Sequence, residues 1–511
     1  MKKIYTALAL LPVLISSAAA EGPKSAEADR YFKDGQSTLS ARKAVKPNTR
    51  KAKNVILFVA DGMDQTTVTA ARIFDGQTRG EEGEENFLSF ERFPWIALSK
   101  TYNTNAQTPD SAGTMSAMVT GVKTKMGILS LDDTAEVANC ASSKGAVAVT
   151  VGEYAEKIGL ATGVVTTARL THATPAAVFA HAPDRDWERD TNLTEEALQN
   201  GCTDIARQLL EFPYGDGLEV AMGGGRQNFL PLEVADPETP NTMGGRRDQR
   251  NLAEEWSKKS SNHRYIWDRK GFDAIDAAAR PRVLGLFEPS HMQYEADRGA
   301  DAGGEPSLAE MTTKAIDILR QDKDGFFLMV EGGRIDHAHH AGNAARALKD
   351  TQAFSEAVAA AIAKTDTRDT LIIVTADHGH TLTFAGYPRK GSDILGLATA
   401  TLEDTRARDG YALAGDGKAY TTLGYANGPG SILSGQTKVK ERAEPTPAEV
   451  KDINYRQQSA IPSPSESHGG QDVVIYATGP HAHLFGGVVE QSYVFHVIDA
   501  ALGLRKRAAA K

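Results

Sequence analysis

Cysteine and long apolar runs are both scarce in this sequence of 511 residues. Two cysteines, Cys140 and Cys202, are too few for a disulfide-built scaffold, so the fold must rest on an apolar core. The apolar run at residues 4–15 is too short to span a bilayer, and no later segment resembles a membrane-spanning helix. The sequence therefore predicts a soluble protein with no membrane anchor.

Basic residues are also in the minority. The chain has 57 Lys and Arg against 66 Asp and Glu, a net charge of -9, and loss of Lys2 and Lys3 would take it to -11. Nucleic-acid binding needs stripes of Lys and Arg that neutralise phosphates. This balance excludes a nucleic-acid-binding module.

The N-terminus reads as a signal peptide over residues 1–20. Lys2 and Lys3 precede the short apolar run, and Ala18, Ala19 and Ala20 offer a cleavage site before Glu21. We therefore expect an exported protein, periplasmic or extracellular. In that oxidising compartment the two cysteines favour one disulfide, with two unrelated buried thiols as the alternative.

Continuous apolar runs indicate the fold. Runs at 54–60, 325–330 and 370–376, with shorter ones at 159–165 and 471–477, are typical of parallel strands covered on both faces. Helical patterns lie between them, for example at 308–319 and 344–362. This alternation predicts a doubly wound α/β core, a mostly parallel sheet with helices on both faces.

Two segments interrupt that alternation. Residues 21–50 form a polar arm in which 26–45 could be a loosely amphipathic helix that packs on another surface, such as a second subunit. Residues 385–466 are rich in Gly, Pro, Ser and Thr and poor in apolar runs. We interpret 385–466 as an insertion into a core made of 51–384 and 467–511; a linker between two domains is the alternative.

Each of the three strongest apolar runs ends in an acid: Asp61, Glu331 and Asp377. In open α/β sheets, sites form outside the carboxyl ends of the strands, so these acids should converge. A single acid after a strand is usually a turn former or a helix cap. Three of them with histidines nearby indicate a metal site.

The histidines extend this set of ligands. Asp336 and His340 are four residues apart and would share one face of a helix, although a surface ion pair has the same spacing. His378 follows Asp377, and Glu466 and His468 lie further on, as does His380. Imidazole with carboxylate suits zinc, and carboxylate with hydroxyl suits magnesium, so two or three ions are expected.

Ser111 is the candidate nucleophile. It follows Pro109 and Asp110 and precedes a helical pattern, so it would sit at a helix N-terminus, where anions bind to free N–H groups. The alternative is that Asp110 or Ser111 is only a helix cap. No G-x-S-x-G turn is present, which disfavours a Ser-His-Asp esterase.

Together these segments resemble the alkaline phosphatase family, and closer to its animal members than to the enteric bacterial form. The motifs are Asp61-Gly-Met63, Pro109-Asp-Ser-Ala-Gly-Thr114, Val330-Glu-Gly-Gly-Arg-Ile-Asp-His-Ala-His-His340 and Thr375-Ala-Asp-His-Gly-His380. The resemblance implies hydrolysis of phosphate monoesters at alkaline pH through a phosphoserine intermediate. Sulfatases and phosphodiesterases on the same scaffold are the alternatives, but the sulfatase motif is absent around Ser111 and diesterases lack an arginine placed like Arg185.

The resemblance also implies roles for individual residues. One zinc would bind Asp336, His340 and His468; a second would bind Asp61, Asp377, His378 and Ser111; magnesium would bind Asp61, Thr174 and Glu331. Arg185 would clamp two phosphate oxygens. His172 and His337 occupy positions that vary in the family, and we expect them near the phosphate and magnesium as indirect contacts.

Further expectations follow from the same resemblance. Some relatives bind calcium through positions that match Glu238, the Phe287 carbonyl, Glu288 and, after a longer loop, Glu305. Cys140 and Cys202 match a disulfide of the animal enzymes, and 385–466 resembles the crown at the top of a homodimer. Asp64 stands where the family usually has glycine, which puts an extra carboxylate near the site.

Overall fold

The computed structural model describes residues 24–401, 404, 406–432 and 442–511. The predicted signal peptide, residues 1–20, lies outside the described residues. Contacts divide the chain into two units, residues 1–46 and 47–511. The first unit contains helix α1, Ala26–Ala44, whose N-cap Ser25 accepts a hydrogen bond from the Ala28 amide and none of whose residues is buried.

The second unit contains all the strands and the other helices of the described residues. The strands are β1 Asn54–Val59, β2 Trp95–Lys100, β3 Ala161–Arg169, β4 Val220–Gly224, β5 His263–Ile266, β6 Arg282–Leu286, β7 Phe326–Glu331, β8 Thr370–Thr375, β9 Gly379–His380, β10 Leu382–Phe384, β11 Ala407–Arg408, β12 Tyr411–Ala412, β13 Leu423–Gly428, β14 Ser459–Pro462, β15 His468–Gly469, β16 Val473–Thr478 and β17 Val488–Glu490.

The helices are α2 Gln65–Thr78, α3 Ser111–Thr120, α4 Cys140–Ser143, α5 Val151–Ile158, α6 Ala173–Ala176, α7 Glu195–Asn200, α8 Ile205–Leu210, α9 Leu252–Lys258, α10 Arg269–Asp273, α11 Leu308–Leu319, α12 Arg334–His340, α13 Ala344–Lys364, α14 Tyr493–Leu502 and α15 Leu504–Ala508.

The central sheet has ten strands in the order β17-β2-β16-β8-β1-β7-β3-β4-β6-β5. Strand β16 is antiparallel to both of its neighbours, and the remaining pairs in this sheet are parallel. The five apolar runs of the sequence became β1, β3, β7, β8 and β16. The expected mostly parallel sheet is confirmed.

Side chains of β1 show why both faces of the sheet are covered. Val55, Leu57 and Val59 belong to one apolar cluster, while Ile56 and Phe58 belong to a second, and all five are buried. Helices α3, α5 and α14 contribute to the first cluster and α2, α11 and α13 to the second. The alternation along β1 therefore feeds two cores, one on each face of the sheet.

Described residues of the segment 385–466 form parts of two small sheets, and three of them, Ile394, Leu423 and Tyr425, also pack into the second apolar cluster. A three-stranded sheet has the order β10-β13-β14, and β11 pairs with β12. Elsewhere in the second unit, a disulfide joins Cys140 to Cys202, with Cα atoms 6.0 Å apart, so the disulfide prediction is confirmed. Within the described residues, no helix combines the length and the apolar character needed to cross a bilayer.

Candidate active site

Three adjacent parallel strands bring the strand-end acids together. Strand β1 lies between β8 and β7, and Val59 is in register with both Thr375 and Glu331. Asp61 follows β1 and Asp377 follows β8, while Glu331 is the last residue of β7; all three acids are fully buried. Neighbouring carboxyl ends thus place the three carboxylates at one edge of the sheet, as predicted.

Ser111 lies beside Asp61 and His378. It is the first residue of α3, and its Oγ is 3.4 Å from Asp61 Oδ1 and 3.1 Å from His378 Nε2. The helix cap is Asp110, whose Oδ1 accepts a hydrogen bond from the Gly113 amide at 3.1 Å. Because Asp110 caps the helix, the Ser111 hydroxyl is directed at Asp61 and His378 instead.

Asp61, Asp377 and His378 present ligand atoms that all lie within 4.8 Å of one another. His378 Nε2 is 3.3 Å from Asp61 Oδ1 and 3.4 Å from Asp377 Oδ2. This spacing lets one cation contact all three side chains together with the Ser111 hydroxyl.

A second group forms around Asp336 on α12. Its Oδ1 is 3.4 Å from His340 Nε2 and 3.3 Å from His468 Nε2, and the two imidazole nitrogens are 3.1 Å apart. The His468 ring stacks on His378 at a centroid distance of 3.6 Å. The two groups are therefore direct neighbours.

A third group surrounds Glu331. Thr166 donates a hydrogen bond to its Oε2, and Asp61, His172 and Glu331 present ligand atoms within 4.8 Å of one another. Asp61 Oδ2, Thr174 Oγ1 and Glu331 Oε1 are buried without a hydrogen bond of good geometry to any described residue. Buried polar atoms are normally satisfied, so this oxygen-rich set fits a hard cation such as magnesium.

The buried charges also favour cations. Burial and then the nearby carboxylates raise the pKa of Asp61 well above its usual value and that of Glu331 to about 8. Burial also raises the pKa of Asp377. For Asp336 burial acts in the same direction, but the adjacent histidines outweigh it and hold its pKa well below the usual range. A bound cation would offset the repulsion among the carboxylates.

Arg185 is held at the N-terminus of α3. Its Nη1 donates to Asp110 Oδ2 at 3.0 Å, and its Nη2 lies 3.1 Å from His172 Nε2. His337 lies next to His172, with ring centroids 5.6 Å apart. The structure thus brings Arg185, His172 and His337 to the same side of the site, where the resemblance implied a phosphate.

A further acidic group lies outside this site. Glu238, Glu288 and Asp301 present oxygens within 4.8 Å of one another. Phe287 directly follows β6 and precedes Glu288. Glu305 accepts a hydrogen bond from the Gln293 amide at 3.0 Å, and burial with repulsion from Glu288 raises its pKa to about 9. The sequence did not predict Asp301, because the longer loop before Glu305 does not show which of its acids lies next to Glu238 and Glu288.

Two more residues complete the surroundings of Asp336. His380 Nε2 lies 2.8 Å from Asp336 Oδ1, and His380 Nδ1 lies 2.6 Å from Glu466 Oε2. The sequence indicates both residues as candidate ligands but assigns neither of them to a particular ion. Their positions depend on the pairing of β9 with β15, and no periodic pattern in the sequence predicts that pairing.

Comparisons with known proteins identify the family of the chain. A family profile described as alkaline phosphatase matches residues 52–504. The chain belongs to the alkaline phosphatase family. The tissue-nonspecific alkaline phosphatase of Felis catus is 43% identical over 487 residues, which cover 94% of this chain and 89% of the relative. The alkaline phosphatase of Gadus morhua is 40% identical over 488 residues, 94% of this chain and 98% of the relative.

Solved alkaline phosphatases share the fold. The structure from Thermus thermophilus matches with a TM-score of 0.63 and 26% identity, over 92% of this chain and 95% of that one. The enzyme of the Antarctic bacterium TAB5 matches with a TM-score of 0.59 and 22% identity, over 89% of this chain and 99% of that one. The predicted family, α/β fold and phosphomonoesterase activity are confirmed: this alkaline phosphatase hydrolyses phosphate monoesters.

Proposed function

We propose that hydrolysis proceeds through Ser111 as the nucleophile, at a site that holds two zinc ions and one magnesium ion. The observation that carries the proposal is the position of the Ser111 hydroxyl, 3.4 Å from Asp61 and 3.1 Å from His378, at the N-terminus of α3. A hydroxyl beside buried carboxylates and an anion-binding helix end is suited to attack a phosphate.

The three groups of ligands divide among the ions. One zinc would bind Asp336, His340 and His468, and a second would bind Asp61, Asp377 and His378 next to Ser111. Magnesium would bind Asp61, Thr174 and Glu331, whose unsatisfied oxygens support the assignment. When bound, such ions neutralise phosphate oxygens and lower the pKa of hydroxyl groups that they contact.

The residues of the chain then perform the reaction. The free N–H groups of α3 and the guanidinium of Arg185 hold the phosphate oxygens, Arg185 in bidentate fashion. Ser111 Oγ attacks phosphorus, the alcohol leaves, and water hydrolyses the resulting phosphoserine. Each displacement inverts phosphorus, so its configuration is retained overall. His172 and His337 act indirectly: His172 lies against Arg185, and His337 lies against His172.

A calcium ion beside this site is a separate part of the proposal. Glu238, Glu288 and the Phe287 carbonyl would contribute ligands, and Asp301 supplies the nearby carboxylate in the described structure. Glu305 supports the loop through its contacts with Gln293 and with Asp301, whose Oδ2 accepts from the Glu305 amide at 2.8 Å.

We also propose an exported homodimer. The predicted signal peptide supports export, and the family resemblance supports a dimer in which the crown-like insertion 385–466 and the arm 21–50 contact the partner. Tyr387 is 83% exposed and Ile461 is 60% exposed, so large apolar side chains are available on the insertion. Light scattering on the purified protein should give twice the mass of one chain.

Replacement of Ser111 by alanine tests the nucleophile. Turnover of p-nitrophenyl phosphate should fall on the order of 10³-fold or more, because the covalent route is lost. Acid quenching should trap phosphoserine in the wild type and none in S111A. Near-wild-type turnover by the variant would show that another group attacks phosphorus.

The substrate class and the metals have their own controls. The monoester should be hydrolysed much faster than bis-p-nitrophenyl phosphate; the reverse would indicate a diesterase. Treatment with a chelator should abolish activity, and zinc with magnesium should restore it. Elemental analysis should then give two zinc ions for each chain.

A further inference from the structure

Asp64 is the departure from the family pattern that the catalytic proposal leaves unused. The residue is 1% exposed and caps α2, where its Oδ1 accepts a hydrogen bond from the Thr67 amide at 2.9 Å. Its Oδ2 accepts a hydrogen bond from Gln471 Nε2. Both oxygens are therefore occupied by protein donors, and Asp64 does not belong to any of the ligand groups in the described residues.

Gln471 connects Asp64 to a small sheet. The same Nε2 donates to the His380 carbonyl at 2.8 Å, so one amide bridges the cap of α2 and strand β9. The neighbouring Gln65 adds a parallel contact, because its Nε2 donates to the Asp472 carbonyl at 2.9 Å. The N-terminus of α2 thus holds the start of the segment that leads into β16.

Two glycines, which have no Cβ, leave the space that the Asp64–Gln471 hydrogen bond occupies. A Cβ on Gly379 would lie 2.5 Å from Gln471 Nε2 and 2.9 Å from Asp64 Cβ, and a Cβ on Gly469 would lie 2.1 Å from Gln471 Oε1. Gly379 belongs to β9 and Gly469 to β15, and these two residues face each other in the ladder. The side chains of Asp64 and Gln471 therefore lie directly against both strands.

The small sheet carries residues of the zinc site. His468 opens β15 and pairs with His380 on β9, while His378 directly precedes β9. Each strand has only two residues, and an isolated pair of strands is marginally stable even when it is longer. His468 therefore depends on outside contacts for its position relative to Asp336.

From this arrangement, which rests on the proposed zinc ligation, we propose that Asp64 and Gln471 form a positioning pair that orients His468 for zinc. Their bridge fixes β15 against β9, so that the His468 ring is presented to Asp336 and His340 before the ion arrives. Partners behind a ligand commonly change metal affinity about 10- to 100-fold when they are lost.

The substitution Asp64→Asn isolates the bridge. Asparagine caps helices as well as aspartate does, so α2 should be retained. Its amide nitrogen would face the Gln471 amide, two donors in opposition. Zinc release to a chromogenic chelator should then have one phase accelerated about tenfold, while the far-UV circular dichroism spectrum of the zinc-free protein should match that of wild type.

Gln471→Glu provides the second variant, because Gln471 is exposed and its replacement leaves the core intact. A carboxylate at 471 opposes Asp64 and the His380 carbonyl, and we expect zinc release at least as fast as in D64N. In the double variant D64N/Q471E the asparagine amide can donate to the new carboxylate. Release should therefore be slower than in Q471E alone, which a purely structural role of either residue would not produce.

Asp268→Asn is the matched control. Asp268 caps α10 and accepts a hydrogen bond from the Gly271 amide at 2.8 Å, so it undergoes the same chemical change away from the zinc groups. Zinc release from D268N should equal that from wild type. Equal rates in D64N, Q471E and wild type would overturn the positioning role. A wild-type protein that holds no zinc would instead overturn the proposed function.

Discussion

At the scale of single residues, the guanidinium of Arg185 is oriented on two sides, by Asp110 Oδ2 and by the His172 ring. Arg185→Lys keeps the charge but removes the planar pair of donors that matches two phosphate oxygens. We expect kcat/KM for p-nitrophenyl phosphate to fall by about tenfold or more, and inhibition by inorganic phosphate to weaken in parallel.

The same replacement at Arg505 provides the control. Arg505 lies on α15, is largely exposed and pairs with Asp499, far from the phosphate contacts in sequence. R505K should leave both constants unchanged. If R185K also left them unchanged, Arg185 would not be the phosphate clamp.

The sequence predicted single residues best where a pattern carried them. Asp61, Glu331 and Asp377 could be recognised because each ends a buried strand, and strand ends of a parallel sheet meet. Asp110 and Ser111 could not be separated, because either can cap a helix; only the Asp110–Gly113 hydrogen bond distinguishes them. Asp301 lies in a loop, where no periodicity indicates the direction of a side chain.

At the scale of elements, the disulfide ties α4 to the turn after α7 and closes a loop with a sequence separation of 62. Loop-closure entropy for that length corresponds to about 4 kcal/mol. The double variant C140S/C202S should lose stability of this order, measured by urea unfolding. Wild type with a reducing agent should match the variant; an unchanged midpoint in both would show that the disulfide does not stabilise the fold.

Glu156 on helix α5 and Glu219, which directly precedes β4, both contact Thr162 on β3. Glu156 Oε1 accepts from Thr162 Oγ1 at 2.5 Å, and Glu219 Oε2 accepts from the Thr162 amide at 2.7 Å. Burial and repulsion from Glu219 raise the pKa of Glu156 to about 9, and burial raises that of Glu219 to about 7. The folded protein therefore retains protons that the unfolded chain has lost.

This difference fixes the sign of a pH effect. Between about pH 4.5 and pH 9 the folded state binds more protons at Glu156 than the unfolded state, so the free energy of unfolding falls as pH rises. Glu156→Gln removes this carboxyl group, so the free energy of unfolding should decline less steeply with pH. The stability of the variant relative to wild type should therefore rise between pH 6 and pH 9. Urea unfolding at pH 6 and at pH 9 measures the free energy of unfolding of each protein, with Glu254→Gln at an exposed position as the control. Parallel declines in E156Q and wild type would contradict the prediction.

Elements were predicted unevenly for a physical reason. Strands β1, β7 and β8 lie in the centre of the sheet, are apolar on both faces and stand out in the sequence. Strand β2 alternates in burial and β17 has only three residues, so both lack that signal. Strand β16 is antiparallel to both of its neighbours, and the sequence of β16 alone does not predict this direction.

At the scale of the whole molecule, metal ions and stability are linked. A ligand that binds only the folded state stabilises it in proportion to the logarithm of its concentration over Kd, about 4 kcal/mol at a thousandfold excess. Removal of the ions should lower the melting temperature, and zinc with magnesium should restore it. Calcium alone would fill its own proposed site and leave the zinc and magnesium sites empty, so it should restore only part of the loss; full recovery with calcium would contradict the assignment of the ions.

The order of strands in the central sheet has a consequence for the time course of folding. Ser111 and His378 are 267 residues apart, and β1 is completed only when β7 and β8 flank it. Contacts between such distant segments form slowly. We therefore expect the ions to bind late in folding, after the sheet has assembled, so that they stabilise the finished structure rather than nucleate it.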